Sequence, residues 1–173
     1  MSKYESIQFS KENKTNLIMN TIKFINDTFC PLGMKPIEDL PEATPCDGNS
    51  CVIAKVITDN FPDFNNVQVG ITGIELNPGA KDGLINENLG EFLDYPEDDS
   101  LWCRGEHIDV PKEVGEFIYG FDHGHFPQLV DEEKTIDKLG GYEAVHTFGI
   151  DKEHCDCPEC DPTVDRRYGY NGY

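Results

Sequence analysis

The chain has 173 residues, with 33 Asp and Glu against 14 Lys and Arg, for a formal net charge of −19. Such a surface repels phosphate backbones, so we expect no direct binding of nucleic acid. It suits a basic protein partner, although an acidic surface also serves solubility alone. There is no signal-peptide pattern and no run of about 18 apolar residues, so we expect a cytoplasmic protein that does not enter the membrane.

The length predicts one globular domain over residues 1–150, followed by a cysteine-rich tail over residues 151–173. A chain of this size buries enough surface to fold without disulfides. The seven cysteines are an odd number. In a reducing compartment they therefore indicate thiols or metal ligands rather than a disulfide framework.

The first part of the chain predicts one long helix and an irregular connection. Apolar residues spaced by three and four between Ile18 and Phe29 predict a helix that begins near Glu12. Pro31 predicts its end, since proline cannot continue a helix. Four prolines between residues 31 and 49 predict an extended connection over the surface.

A second helix and a strand are predicted next. Asp47 or Asn49 is placed to cap a helix over residues 50–60. Alternation of apolar and polar residues over 67–71 predicts a half-buried strand. Residues 74–76 predict either its continuation or the partner of a hairpin.

The second half of the sequence predicts short strands over residues 81–99, then a third helix over residues 111–121. A short fourth helix is predicted over residues 131–139, with Gly140 as its stop. Alternation over residues 142–150 predicts a final strand, with His146 as a core or cross-strand residue. This order predicts an α+β fold with a small, mainly antiparallel sheet packed with three to four helices.

Three segments resemble small accessory proteins of bacteriophages of actinobacteria. They are the cysteine-led helix that starts at Cys51, the valine-rich strand at residues 67–71, and the stretch from Val110 to Pro127. The resemblance covers roughly residues 46–130 and rests on apolar positions. It implies a phage context, but it implies no activity and carries over no catalytic residue.

The tail is the densest cluster of metal-ligand chemistry in the chain. Cys157-x-x-Cys160 has the spacing of a zinc knuckle, in which a short turn lets two thiolates face one ion. Cys46 and Cys51 form a looser second pair that would tie the tail to the second helix. The predicted ligands of a structural zinc are His154, Cys155, Cys157, Cys160, Cys46 and Cys51. Unligated thiols and iron–sulfur or redox chemistry remain alternatives.

Two further sites are considered for catalysis. His123 and His125, beside Asp122, predict the metal site of a hydrolase as an alternative function. Cys51 at a helix N-terminus is expected to have a lowered pKa if it is a nucleophile, whereas its place on an apolar face predicts a buried thiol. No P-loop, dinucleotide fingerprint or Gly-x-Ser-x-Gly motif is present, which favours a protein that is not an enzyme.

The stretch from residue 82 to residue 99 contains seven acids and no Lys or Arg. We predict that it forms the partner-binding surface, through Asp82, Glu87, Glu91, Asp94, Glu97, Asp98 and Asp99. The leading hypothesis is a non-enzymatic interaction protein of phage type that modulates or inhibits a basic, nucleic-acid-handling protein by mimicking DNA charge. A structural component of a phage particle is a further alternative. The sequence does not indicate an oligomeric state.

Overall fold

A computed structural model describes residues 6–78 and 106–150 of the chain. The strands predicted in the acidic stretch and the predicted cysteine-rich tail lie outside these residues. The described part contains four α-helices, two 3₁₀ turns and one three-stranded antiparallel sheet, which confirms the predicted α+β class.

The elements follow one another as two helices, a hairpin, a third strand and two more helices. Their bounds are α1 Lys11–Phe29, α2 Val52–Asn60, β1 Phe64–Val69, β2 Gly73–Pro78, β3 Glu106–Asp109, α3 Lys112–Asp122 and α4 Glu132–Phe148. The 3₁₀ turns are Cys30–Leu32 and Pro127–Leu129.

Helix α1 begins where Ser10 caps it, because the Ser10 hydroxyl oxygen accepts the Asn13 N–H at 3.2 Å. Its buried side recurs every four residues and packs against α3. The fully buried positions are Leu17, Thr21, Ile25 and Phe29. The predicted helix is confirmed, and its most buried stripe runs beside the predicted one because Ile18 is only half-buried.

The proline-rich connection after α1 is fastened at two points. The Asn26 side chain donates to the Ile37 carbonyl oxygen at 2.9 Å and accepts the Ile37 N–H at 2.9 Å. Further along, Ala43 pairs with Val130 in a parallel bridge. These bonds satisfy the backbone N–H and carbonyl groups of Ile37 and Ala43 within an otherwise irregular segment.

The sheet has the order β1-β2-β3, and both strand pairs are antiparallel. Strands β1 and β2 form a hairpin, the second of the two alternatives for residues 74–76, with Val67 opposite Leu76 and both buried in the core. The sequence analysis missed β3, since four residues are too short for a period-two pattern to stand out.

Helix α3 carries its predicted apolar face into the core. The buried residues of that face include Val114, Phe117, Ile118 and Phe121. Pro111 is the residue before the helix rather than its first residue.

The prediction of a final strand over residues 142–150 is wrong. Helix α4 continues through Gly140 and ends at Phe148, where Gly149 takes the left-handed conformation at φ 70°. Ala144, Val145 and Phe148 are buried with helical spacing, whereas His146 is exposed. His146, which a strand would have placed in the core or opposite a neighbouring strand, therefore faces solvent.

Candidate functional site

Most of the predicted site residues lie outside the described residues. These are the seven acids of the acidic stretch and the four candidate ligands of the tail. The predicted partner surface and the tail half of the zinc site therefore stay predictions. Among the predicted site residues, the structure places the two cysteines before α2 and the two histidines after α3.

Cys46 is exposed and is held by Asp122, at the end of α3. Its N–H donates to Asp122 Oδ1 at 2.7 Å, and its thiol donates to the Asp122 carbonyl oxygen at 3.3 Å. Cys46 has a φ of 57°, a left-handed conformation that is uncommon for residues other than glycine. Burial raises the pKa of Asp122, although the hydrogen bond from Cys46 opposes that rise.

Cys51 directly precedes α2, and its side chain is buried, with 4% of the residue exposed. The predicted buried thiol is therefore confirmed. Burial raises the pKa of this thiol to about 12, so the alternative of a lowered pKa is wrong. Neither Asp47 nor Asn49 caps α2, since Cys51 occupies that position without a side-chain hydrogen bond. The two candidate zinc ligands before α2 thus differ sharply in exposure.

The two histidines after α3 are engaged in separate contacts. His123 Nδ1 lies 2.7 Å from the Tyr119 carbonyl oxygen, and the imidazole ring of His123 stacks on the phenol ring of Tyr119 with centroids 3.9 Å apart. The His125 ring stacks on Phe9, with centroids 4.0 Å apart. Within residues 6–78 and 106–150, no three His, Cys, Asp or Glu side chains form a group that could hold a metal ion. The hydrolase alternative thus gains no support from this region.

A polar cleft of about 470 Å³ lies between the sheet and the loop before α2. Its lining residues are Asp47, Gly48, Asn49, Gln68, Val69, Gly70, Thr72, Gly73, Glu75 and His107. The loop forms one wall, because the Val69 N–H donates to the Gly48 carbonyl oxygen at 2.9 Å. A Cβ on Gly48 would lie 3.0 Å from the Val69 oxygen, so glycine permits this close approach.

The floor of the cleft is a row of side chains across the three strands. Gln68 lies opposite Glu75 on the neighbouring strand, and Glu75 lies opposite His107. All three are exposed, whereas Val67, Val69, Ile74 and Leu76 beside them are buried and Ile108 packs against the core. His107 Nε2 lies 3.3 Å from Asp109 Oδ1, and its ring occupies the space that a side chain on Gly73 would need.

Asp47 supplies the second carboxylate of the cleft. It accepts the Asn49 N–H at 3.0 Å and the Ser50 hydroxyl at 2.7 Å, and it forms an ion pair with Lys138 of α4. Burial alone would raise its pKa, but these hydrogen bonds prevail and lower the pKa of Asp47 to about 2. The carboxylate is therefore ionised at neutral pH.

Sequence reasoning missed this cleft, because its residues come from three separate segments. Asp47 and Asn49 are predicted to cap a helix, Gln68 is only a polar member of the pattern over residues 67–71, and Glu75 has no predicted role. The signal that would have found the site is strand register, which shows that residues 68, 75 and 107 lie side by side.

None of the described helices is long and apolar enough to cross a membrane. In comparisons with known proteins, no family model, no curated protein and no solved structure matches the chain.

Proposed function

We propose that this chain is a non-enzymatic, acidic interaction protein that binds a basic protein partner and modulates or inhibits it. The observation that supports the proposal is unbalanced negative charge. The formal net charge is −19, and four of the eight lysines in the described region form ion pairs with the chain's own acids. Those ion pairs are Lys23–Asp27, Lys112–Glu116, Lys134–Asp131 and Lys138–Asp47.

Each of these four pairs cancels one acid together with one lysine, so the net charge of −19 remains with the other acids. A field of one sign attracts a basic protein from a distance and repels nucleic acid. The acidic stretch at residues 82–99 is the proposed centre of the binding surface, since it has seven acids and no basic residue. A nucleic-acid-handling partner in the cytoplasm of a phage-infected cell fits this charge and the phage resemblance.

A capture experiment with two matched variants tests the proposal. The test variant reverses four acids of the stretch to lysine: Asp94, Glu97, Asp98 and Asp99. The control variant reverses four exposed acids of the described region to lysine: Glu38, Asp39, Asp59 and Asp63. Both variants change the net charge equally, so a difference between them reports where the partner binds.

We expect the unmodified chain and the control variant to retain the same basic protein from lysate at low salt, and the test variant to lose it. Capture should also weaken as ionic strength rises, because exposed charges are screened. Equal capture by all three chains, or capture that is insensitive to salt, would contradict the proposal.

A further inference from the structure

The polar cleft has an excess of negative charge at its lining. Asp47 and Glu75 supply two carboxylates, and the lining contains no Lys or Arg. Lys138 pairs with Asp47 from α4 and offsets part of that charge. Among the described residues, no cation forms an ion pair with Glu75. The uncompensated carboxylate therefore disfavours an anionic ligand and favours a cation.

The neutral side chains around these carboxylates carry both donors and acceptors, and each of them is able to turn an acceptor oxygen towards a cationic ligand. Gln68 and Asn49 contribute amide oxygens, and Thr72 contributes a hydroxyl. Acceptors on several sides match a planar group with donors along its edges. A guanidinium presents five N–H donors in a fixed fork and pairs with carboxylates in bidentate fashion. An ammonium group presents only a compact charge.

The size of the cleft fits one side chain with part of its backbone. Its volume of about 470 Å³ lies in the lower half of the range of small-ligand sites. The walls are also preformed. Asp47 is fixed by its bonds to Asn49 and Ser50, and Gly48 is bonded to Val69. A preformed site loses little conformational entropy on binding.

We infer that this cleft binds the guanidinium group of an arginine on the basic partner, between the carboxylates of Glu75 and Asp47. The inference rests on the proposed function and adds to it a specific anchor point. The acidic stretch would attract the partner over a distance, and the cleft would fix one arginine at short range.

Titration of the full chain with three short capped peptides, followed through its backbone amide NMR signals, tests the inference. The peptides are acetyl-Gly-Arg-Gly-amide and its counterparts with lysine and with citrulline, the uncharged isostere of arginine. We expect saturable shifts at Gly48, Gly70 and Glu75 with the arginine peptide at millimolar concentrations. The citrulline peptide should give none, and the lysine peptide should bind more weakly.

A matched pair of variants localises the binding. Glu75→Gln should weaken binding of the arginine peptide by up to about fivefold, the upper end of the range of an exposed ion pair. Glu38→Gln removes the same charge from an exposed site outside the cleft and should leave the affinity unchanged. Equal effects of the two variants, equal binding of the lysine peptide, or shifts that never saturate would overturn the inference.

The outcomes also separate this inference from the proposed function. If the arginine peptide fails while partner capture still depends on the acidic stretch, the cleft is wrong and the proposed function stands. If capture does not depend on charge, the proposed function is wrong whatever the peptide does.

Discussion

Cys46 and Asp122 are 76 residues apart in sequence, yet two hydrogen bonds join them, from the Cys46 N–H to Asp122 Oδ1 at 2.7 Å and from the thiol to the Asp122 carbonyl oxygen at 3.3 Å. They connect the loop before α2 to the end of α3. The contact holds Cys46 at a φ of 57°, a left-handed conformation that costs energy for any residue with a Cβ. Since this loop continues into the wall of the cleft, the pair helps to position the site.

Two substitutions at Cys46 measure the backbone strain. Cys46→Gly and Cys46→Ala both remove the thiol, but only alanine keeps a Cβ in the left-handed conformation. We expect the glycine variant to be the more stable of the two by about 1 kcal/mol in free energy of unfolding, measured by urea denaturation.

The same pair of substitutions at Lys23 is the control. Lys23 is exposed within α1, where glycine should be less stable than alanine by about 1 kcal/mol. The difference should therefore change sign between the two positions. The same sign at both would contradict the strain at Cys46.

The fold was predictable where a single element carries its own pattern. Helix α3 is an example, since the spacing of Val114, Phe117, Ile118 and Phe121 matches the face that is buried. Helix α4 was misjudged because Gly140 is an ordinary stop signal, and the packing of Ala144 and Phe148 further along outweighs it.

The site was less predictable than the fold for a physical reason. The cleft depends on the register that places Gln68, Glu75 and His107 in one row, and on the bond between Gly48 and Val69. Both are contacts between distant segments, and composition or periodicity within a segment holds no information about them. The unbalanced acidic charge, in contrast, is a property of composition and was visible at once.

The substitution Asp47→Asn should lower stability in a pH-dependent way. The pKa of Asp47 falls from an ordinary 3.8 to about 2 in the folded chain. The ionised carboxylate therefore stabilises the fold fully above about pH 4, and this contribution is lost as the pH falls towards 2. After allowance for screening by solvent, we expect the variant to lose about 1 kcal/mol of unfolding free energy at pH 7.

Urea denaturation at a series of pH values checks this prediction. The difference between Asp47→Asn and the unmodified chain should shrink between pH 4 and pH 2. Asp59→Asn, an exposed change with no ion pair among the described residues, should show no such trend. A constant difference across the series would contradict the prediction that the ionised form of Asp47 stabilises the fold.

The substitution Gly120→Ala should destabilise the contact between the segment before α1 and helix α3. A Cβ at this position would lie 2.4 Å from Phe9 Cε1 and 2.8 Å from Phe126 Cε2. Phe126 is completely buried and cannot move aside, so we expect a loss of about 1–3 kcal/mol in unfolding free energy.

A double-mutant cycle that combines Gly120→Ala with Phe9→Ala tests the geometry of this contact. The loss should be smaller in that background, since one obstructing ring is gone, and strict additivity would contradict the contact.

The predicted zinc site has two possible sets of ligands, and substitutions of the cysteines separate them. A structural zinc is expected at about one ion per chain, and Cys157→Ser with Cys160→Ser should abolish it, because thiolates of the tail supply the predicted knuckle. Cys51, in contrast, is only 4% exposed and belongs to the hydrophobic core. Ligation by Cys51 would require the core to open around it, so we expect Cys51→Ala to keep the zinc.

Metal analysis of chains purified without a histidine tag, combined with circular dichroism to verify folding, decides between these sets. Zinc retained in Cys51→Ala and lost in the tail variant would place the site within the tail, with or without the exposed Cys46. Zinc lost in a folded Cys51→Ala chain would instead establish the buried thiol as a ligand. The start of α2 would then have to rearrange on metal binding, since its buried thiol must become a thiolate that faces the ion.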